Sequence, residues 1–205
     1  MQTLPSKNPT RARPWLRFAG LALVTALAAL VWDALTPRSE ARFALHMIPH
    51  HAQAVEMARM LQSRTDDATL QATAADIIAT QQSQIEQMRT WLPVWRRPLM
   101  GLLRHGLSPR QVAEMGMASE AEMRAFAALT GREAEARFLQ LMIRHHQGAI
   151  AMMGPALEAA QNPAARRLLA AMAGSQALEI ESMRQLLDQR GGEPLEPPPA
   201  AGHPH

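Results

Sequence analysis

Residues 40–57, EARFALHMIPHHAQAVEM, return ninety-five positions later as residues 135–152, EARFLQLMIRHHQGAIAM, with 10 of 18 positions identical. The same offset brings Gln81, Ile85, Glu86, Met88, Arg89 and Leu92 onto Gln176, Ile180, Glu181, Met183, Arg184 and Leu187. Two separated blocks that match without an insertion define a repeated supersecondary unit of fixed length. Repeat one spans residues 40–92 and repeat two residues 135–187, with a connector at 93–134.

Each unit reads as helix, turn, helix. Phe43, Met47, His50, Ala54, Met57 and Leu61 recur at three- and four-residue steps and draw one stripe along a helix. Ala74, Ile78, Gln81, Ile85, Met88 and Leu92 do the same in the second helix. Thr65-Asp66-Asp67 makes the turn in copy one. In copy two Asn162-Pro163 supplies an N-cap followed by proline at the first helical position. No run alternates in the manner of a strand. Neither hairpin can bury its stripe alone, so the expected fold is all-α: an antiparallel four-helix bundle over residues 38–190, made of two duplicated hairpins. In the connector, Pro93, Pro98, Gly101, Gly106 and Pro109 predict an irregular crossover. Ser119-x-x-Glu122 then opens a short helix to about Leu129, closed by Gly131. The Pro-rich tail, residues 191–205, is expected to be disordered.

Composition narrows the chemistry. Of the 205 residues 47% are hydrophobic but only 4% aromatic, with no tyrosine, so aliphatic and methionine side chains must fill the core. The absence of cysteine excludes disulfides, zinc–thiolate sites and cysteine nucleophiles. The net charge is +3, yet Lys7, Arg11, Arg13 and Arg17 place four positive charges in an acid-free stretch of 17 residues. The remainder is therefore slightly acidic, and no globally basic domain exists to bind nucleic acid.

That basic stretch precedes the apolar run within Leu16–Leu35, which has Trp15 and Trp32 at its ends. The positive-inside rule then leaves the N-terminus in the cytoplasm and the bundle outside. Residues 1–36 read as a basic stub and a single-pass transmembrane anchor, with the C-terminal domain periplasmic or extracellular. The alternative is secretion after cleavage, for which Ala26 and Ala28 offer small residues. Trp32 and Leu35, which prolong the apolar run, favour the anchor.

The repeated His-His pairs carry the candidate chemistry. His50 falls in the centre of its stripe, with Met47 one turn before and Met57 two turns after, while His51 lies at the stripe's edge and His46 flanks it. Copy two presents Met142, His145, His146, Met152 and Met153. Pseudo-twofold packing would bring the two clusters together inside the bundle. Imidazole and thioether without thiolate suit copper, especially Cu(I), with silver as its surrogate. Met115-Gly116-Met117 and His203-Pro204-His205 offer weaker, mobile ligands. Coordination requires neutral imidazole, so binding is expected to weaken between pH 7 and 5.

A bland role fits some of these residues better. Methionine at helical spacing is usually core, and that is the reading for Met88 and Met183. Gln81 and Gln176 are expected to hydrogen-bond the histidines from their stripes, and Glu86 and Glu181 to be solvated. A di-iron enzyme on this architecture needs Glu-x-x-His motifs, and no glutamate here has a histidine three residues on. No hydrolase arrangement, Gly-rich phosphate loop or zinc-protease motif is present either, so an enzymatic reading is unsupported. The competing reading of the chain is a structural or protein-interaction bundle with buried, hydrogen-bonded His pairs and no metal.

The blocks Met47-Ile48-Pro49-His50-His51 with Ala54-Val55-Glu56-Met57, and Met142-Ile143-Arg144-His145-His146 with Ala149-Ile150-Ala151-Met152, resemble the Domain of Unknown Function 305 family. The resemblance continues through Gln81, Ile85, Glu86 and Met88 and through Gly116-Met117, and covers roughly residues 40–188. It implies a ferritin-like four-helix bundle, commonly exported, with links to copper binding and copper resistance in bacteria. By position it implicates Met47, His50, His51, Met57, Met142, His145, His146 and Met152 as metal ligands. Members commonly carry Asp ahead of the block, where this chain has His46 and Leu141.

Overall fold

The computed structural model describes residues 25–28, 38–94 and 106–199. The chain divides into two compact units, residues 1–36 and 37–205. In the first, only the helical turn at 25–28 is described, so the expected membrane segment lies outside the described residues. Among the described residues no helix is long and apolar enough to cross a membrane.

The second unit is helical. Its elements are α1 (Arg38–Gln62), α2 (Ala68–Val94), α3 (Pro109–Glu114), α4 (Glu120–Ala127), α5 (Gly131–Ala159) and α6 (Pro163–Asp188). Local chemistry sets the starts. Asp67 Oδ1 accepts from the Thr69 and Leu70 N–H groups at the head of α2, and Asn162 caps α6 in the same way. The capping box expected at Ser119 and Glu122 is present, and a second one, Ser108 with Gln111 and Pro109 between them, opens α3 inside the predicted crossover.

Two hairpins, α1–α2 and α5–α6, pack through α1 against α5. The C-terminal half of α1 (Ala54, Met57, Leu61) shares one apolar cluster with the N-terminal half of α5 (Phe138, Met142). The N-terminal half of α1 (Phe43, Met47) shares a second with Ala149 and Met153 near the other end of α5. The two helices are therefore antiparallel. The first cluster also takes Leu70 and Ile77 from α2 and Ile180 and Met183 from α6; the second takes Ile85, Met88, Leu169 and Met172. Ile77 is the buried residue of that turn, and Ile78, expected in the stripe, is only partly buried.

The Glu that opens each repeat block has a shared task. Buried Glu40 accepts from the backbone N–H groups of Gln161 (2.6 Å) and Asn162 (3.0 Å), in the turn of the other hairpin. Its repeat counterpart, Glu135, accepts from Thr65 Oγ1 (2.7 Å) in the first hairpin's turn and from Arg190 Nε (2.9 Å). Each hairpin thus anchors the loop of its partner.

Three expectations are corrected. Gly131 does not close a helix: with φ at +55° it begins α5, and its N–H donates to the Arg64 carbonyl. The tail is not disordered as far as Pro199: Gln140 Nε2 donates to the Glu193 carbonyl, Leu195 packs on the first cluster and Pro198 lies against Gly116. Apolar contact along a rigid Pro-rich segment costs little entropy, which is why this stretch docks. The Met115–Met117 segment is not mobile. Gly116 has φ at +69°, and a Cβ there would meet the Arg144 carbonyl at 2.4 Å.

Gly148 in α5 is tighter still, since an added Cβ would fall 1.9 Å from the Met115 carbonyl oxygen and 2.8 Å from the Gly116 nitrogen. Gly148→Ala must displace backbone, and should cost about 1–3 kcal/mol in urea unfolding. Gly174→Ala, in the exposed interior of α6 with nothing near its Cβ position, should instead stabilise by roughly 0.5–1 kcal/mol.

Candidate metal centre

Between the two apolar clusters lies a polar layer. His50, His51, His145 and His146 are all 0% exposed, and Gln81 and Gln176 are nearly so. The antiparallel crossing of α1 and α5 sets His50 against His145, with ring centroids 3.7 Å apart and ring planes inclined by 34°. His51 and His146 stand further out, their rings 6.1 and 6.3 Å from those of their neighbours in sequence.

Three of the four imidazoles are held by one nitrogen. His50 Nε2–H donates to the Met115 carbonyl at 3.0 Å, and because a carbonyl can only accept, this fixes the tautomer and leaves the lone pair on Nδ1. His146 Nε2–H donates to Glu179 Oε2 at 2.7 Å and His51 Nε2–H to Gln84 Oε1 at 2.8 Å. The Nδ1 atoms of His50, His51 and His146, and both ring nitrogens of His145, are buried without a protein hydrogen-bond partner.

Burial, reinforced by the neighbouring His51, pushes His50 down to about 3. Burial likewise lowers His51 to about 3 and His145 well below 6.5. These imidazoles are neutral at physiological pH, as ligands must be.

The connector closes the layer on one side. Gln53 holds the Ala118 backbone through two 2.8 Å hydrogen bonds. Arg144 forms a paired salt bridge with Glu122 (2.9 and 2.8 Å) and also donates to the Gly116 and Met117 carbonyls. Burial alone would raise the Glu122 carboxyl, but hydrogen bonds from Arg144 and Ser119 overcome it and hold the group at about 2.

The methionines flank the layer with the symmetry of the repeat. Met57 and Met142 lie in the first cluster, Met47 lies in the second, and Met152 packs partly buried against the second. Met88 and Met183, expected as core, are fully buried in the clusters. Met115 and Met117 are buried in the connector, and His203 and His205 lie outside the described residues.

His46 does not join the layer. It is half-buried, its Nδ1–H donates to the Arg42 carbonyl one turn back (2.9 Å), and with Met152 it lines a surface cavity of about 460 Å³ that none of the paired histidines lines. Gln81 and Gln176 do not hold the histidines: neither polar atom of Gln81 has a partner, nor does Gln176 Oε1. Gln84 and Glu179, three residues further on, hold His51 and His146 instead. They occupy equivalent repeat positions but differ in identity, so matching identical residues passed over them. Glu86 and Glu181 are exposed, as expected.

Imidazoles that bond through N–H to a carbonyl, amide or carboxylate and keep the other nitrogen free are oriented as metal ligands are. Among the described residues no three His, Cys, Asp or Glu side chains converge to hold an ion unaided.

The model of the family described as "Domain of unknown function (DUF305)" matches residues 40–187. The chain belongs to this family. A candidate secreted DUF305 protein from Streptomyces coelicolor is similar in structure, with a TM-score of 0.69 and 36% identity, over 78% of this chain and 99% of that one. A DUF305 fragment from Deinococcus radiodurans is 39% identical with a TM-score of 0.68, over 74% and 97%. CopM in its Cu(II)-bound form is 26% identical with a TM-score of 0.62, over 73% and 96%, and its Cu(I)-bound form is 27% identical with a TM-score of 0.61, over 75% and 98%. CopM is also known with silver. A 46-residue stretch is 41% identical to an uncharacterised protein of Acanthamoeba polyphaga mimivirus, covering 22% of this chain and 30% of the viral protein.

Because folding lowers the histidine pKa values, the unfolded chain takes up protons first. Stability of the metal-free protein should be full above the ordinary value of 6.5 and fall as pH drops from there towards 3. Each histidine contributes a slope of up to roughly 1.4 kcal/mol per pH unit. Urea unfolding at pH 7.5, 6 and 5 checks this; a flat profile would mean that the folded layer accepts protons freely.

Proposed function

We propose that this DUF305 protein binds copper outside the cytoplasm, sequestering or transferring the ion through histidine and methionine. One observation carries the reading: the buried histidine layer, whose Nδ1 lone pairs have no protein partner while the opposite nitrogens of His50, His51 and His146 are fixed. Leaving such atoms unpaired costs about 1–3 kcal/mol each, and a bound ion would recover that cost. The presence of CopM forms with Cu(I), Cu(II) and silver among its structural neighbours supports the same ion class.

In this reading His50, His51, His145 and His146 supply imidazole, and Met47, Met57, Met142 and Met152 supply thioether from the flanking clusters. Cu(I) is satisfied by few, soft ligands, which suits a site where no three hard or imidazole donors converge. His46 stays outside this ligand set. The basic N-terminal stretch and the apolar run after it direct the bundle outwards, with the run retained as a membrane anchor or removed after export.

The test is a Cu(I) titration of the full chain against a competing chelator, beside a variant with His50, His51, His145 and His146 all changed to Leu. The parent should bind at least about a hundredfold more tightly than a variant of unchanged helicity. Equal binding by both would overturn the reading and leave the His pairs as structural groups of an interaction bundle.

A further inference from the structure

The four histidines of the layer are 0% exposed, so an ion reaches them only when part of the surrounding wall moves. The long helices share two clusters of buried apolar side chains, and parting them would expose that core. The connector is held differently. It passes the layer as a non-helical turn at Met115–Ala118, whose Met115 carbonyl accepts from His50 Nε2–H. Its ties are polar: Gln53 holds Ala118, and Arg144, gripped by Glu122, donates to the Gly116 and Met117 carbonyls. A turn secured in this way opens at lower cost than a packed core.

Residues 193–199 lie against this turn. Gln140 Nε2, on α5, donates to the Glu193 carbonyl at 2.8 Å. Leu195 then packs on the first apolar cluster, and Pro198 comes so near Gly116 that a Cβ on the glycine would fall 2.8 Å from the proline Cγ. Pro197 and Pro199 help to wall a cavity of about 270 Å³ that Met117, Glu122 and Arg144 also line. With the segment in place the side chains of Arg144 and Glu122 are only 18% and 25% exposed, and an ion pair kept from water holds more strongly. The segment's own hold is slighter. Leu195 and Pro198 are partly buried, while Pro194, Glu196, Pro197 and Pro199 are exposed. Proline at four of the six positions 194–199 limits the conformational freedom lost on docking, so the segment can leave and return readily.

We propose that residues 193–199 are a strap that keeps the connector closed over the histidine layer, and that the ion enters and leaves when the strap lifts. This rests on the copper reading above. Lifting hydrates Arg144 and Glu122 and loosens the turn that carries the Met115 carbonyl. Because the same path opens in both directions, the strap governs the rates of exchange and leaves the affinity nearly unchanged.

The experiment compares the full chain with a Leu195→Asp, Pro198→Asp double variant, which frees the strap and keeps His203 and His205. Stopped-flow transfer of Cu(I) to and from a competing chelator gives both rates, and amide hydrogen exchange reads the connector directly. The variant should take up and release Cu(I) about tenfold faster, with its affinity within about twofold of the parent's. The amides of Met115, Gly116 and Met117, which donate to the Gln111, Ala113 and Val112 carbonyls, should exchange about tenfold faster, while that of Met172 in α6 should not change. Gln140→Ala removes the hydrogen bond to Glu193 alone, should act in the same direction, and carries the test if the double variant loses helicity by circular dichroism. Unchanged connector exchange, exchange that quickens equally at Met172, or quicker exchange without quicker Cu(I) transfer overturns the strap while the copper reading stands. A parent that binds no Cu(I) overturns both.

Discussion

Four imidazoles and two glutamines share one buried layer across the middle of the bundle, where α1 and α5 cross and His50 meets His145 at 3.7 Å. Eight polar atoms of these six side chains have no protein hydrogen-bond partner, and at about 1–3 kcal/mol each such a layer would be a serious burden on a small domain. Two apolar clusters offset it, one on each side, filled mostly with Leu, Ile, Ala and Met, with Phe43, Phe126 and Phe138 among them. Methionine suits that position because it packs as a core residue while carrying a soft, polarisable sulfur. Stability and candidate function therefore make opposite demands on the same few ångströms, and the repeat supplies enough core to meet both.

A twofold arrangement with a single connector cannot be symmetric where the connector crosses. The residues that touch it differ between copies for that reason. Arg144, whose counterpart is Pro49, pins the crossing chain to Glu122, and Gly148, whose counterpart is Gln53, gives room for the Met115 backbone. Gln53 in turn holds Ala118. The Met115 carbonyl set in place by these contacts is the group that orients His50. His145 has no equivalent acceptor, so the pair on the axis is inequivalent although its two members are the same residue. The connector is thus part of the centre rather than a tether between hairpins.

Where no connector intervenes the symmetry is kept. Glu40 and Glu135 each reach the opposite hairpin's turn, and each is buried by doing so. A buried carboxylate needs several donors, and backbone N–H groups at a helix start or an arginine such as Arg190 provide them. These ties hold the ends of the bundle together and keep the histidine layer in register.

The repeat, its helical periodicity and its two His-His pairs were legible in the linear chain, and with them the all-helical bundle and the meeting of the two clusters. Periodicity suffices for this because it reports which face of a helix is buried, and duplication implies a twofold partner for that face. Family membership was legible for the same reason, in motifs that recur as short contiguous blocks. The roles of Gln84 and Glu179, of the Met115 carbonyl and of Gly148 were not, and neither were the docking of residues 193–199 nor the displacement of His46 to a surface cavity. Each depends on contacts between residues tens of positions apart, and on rotations of a single helical step that move a side chain from one neighbour to another. Spacing along the chain determined which residues could share a layer; only the packing of the four helices and their connector decided which nitrogen of each histidine was left free.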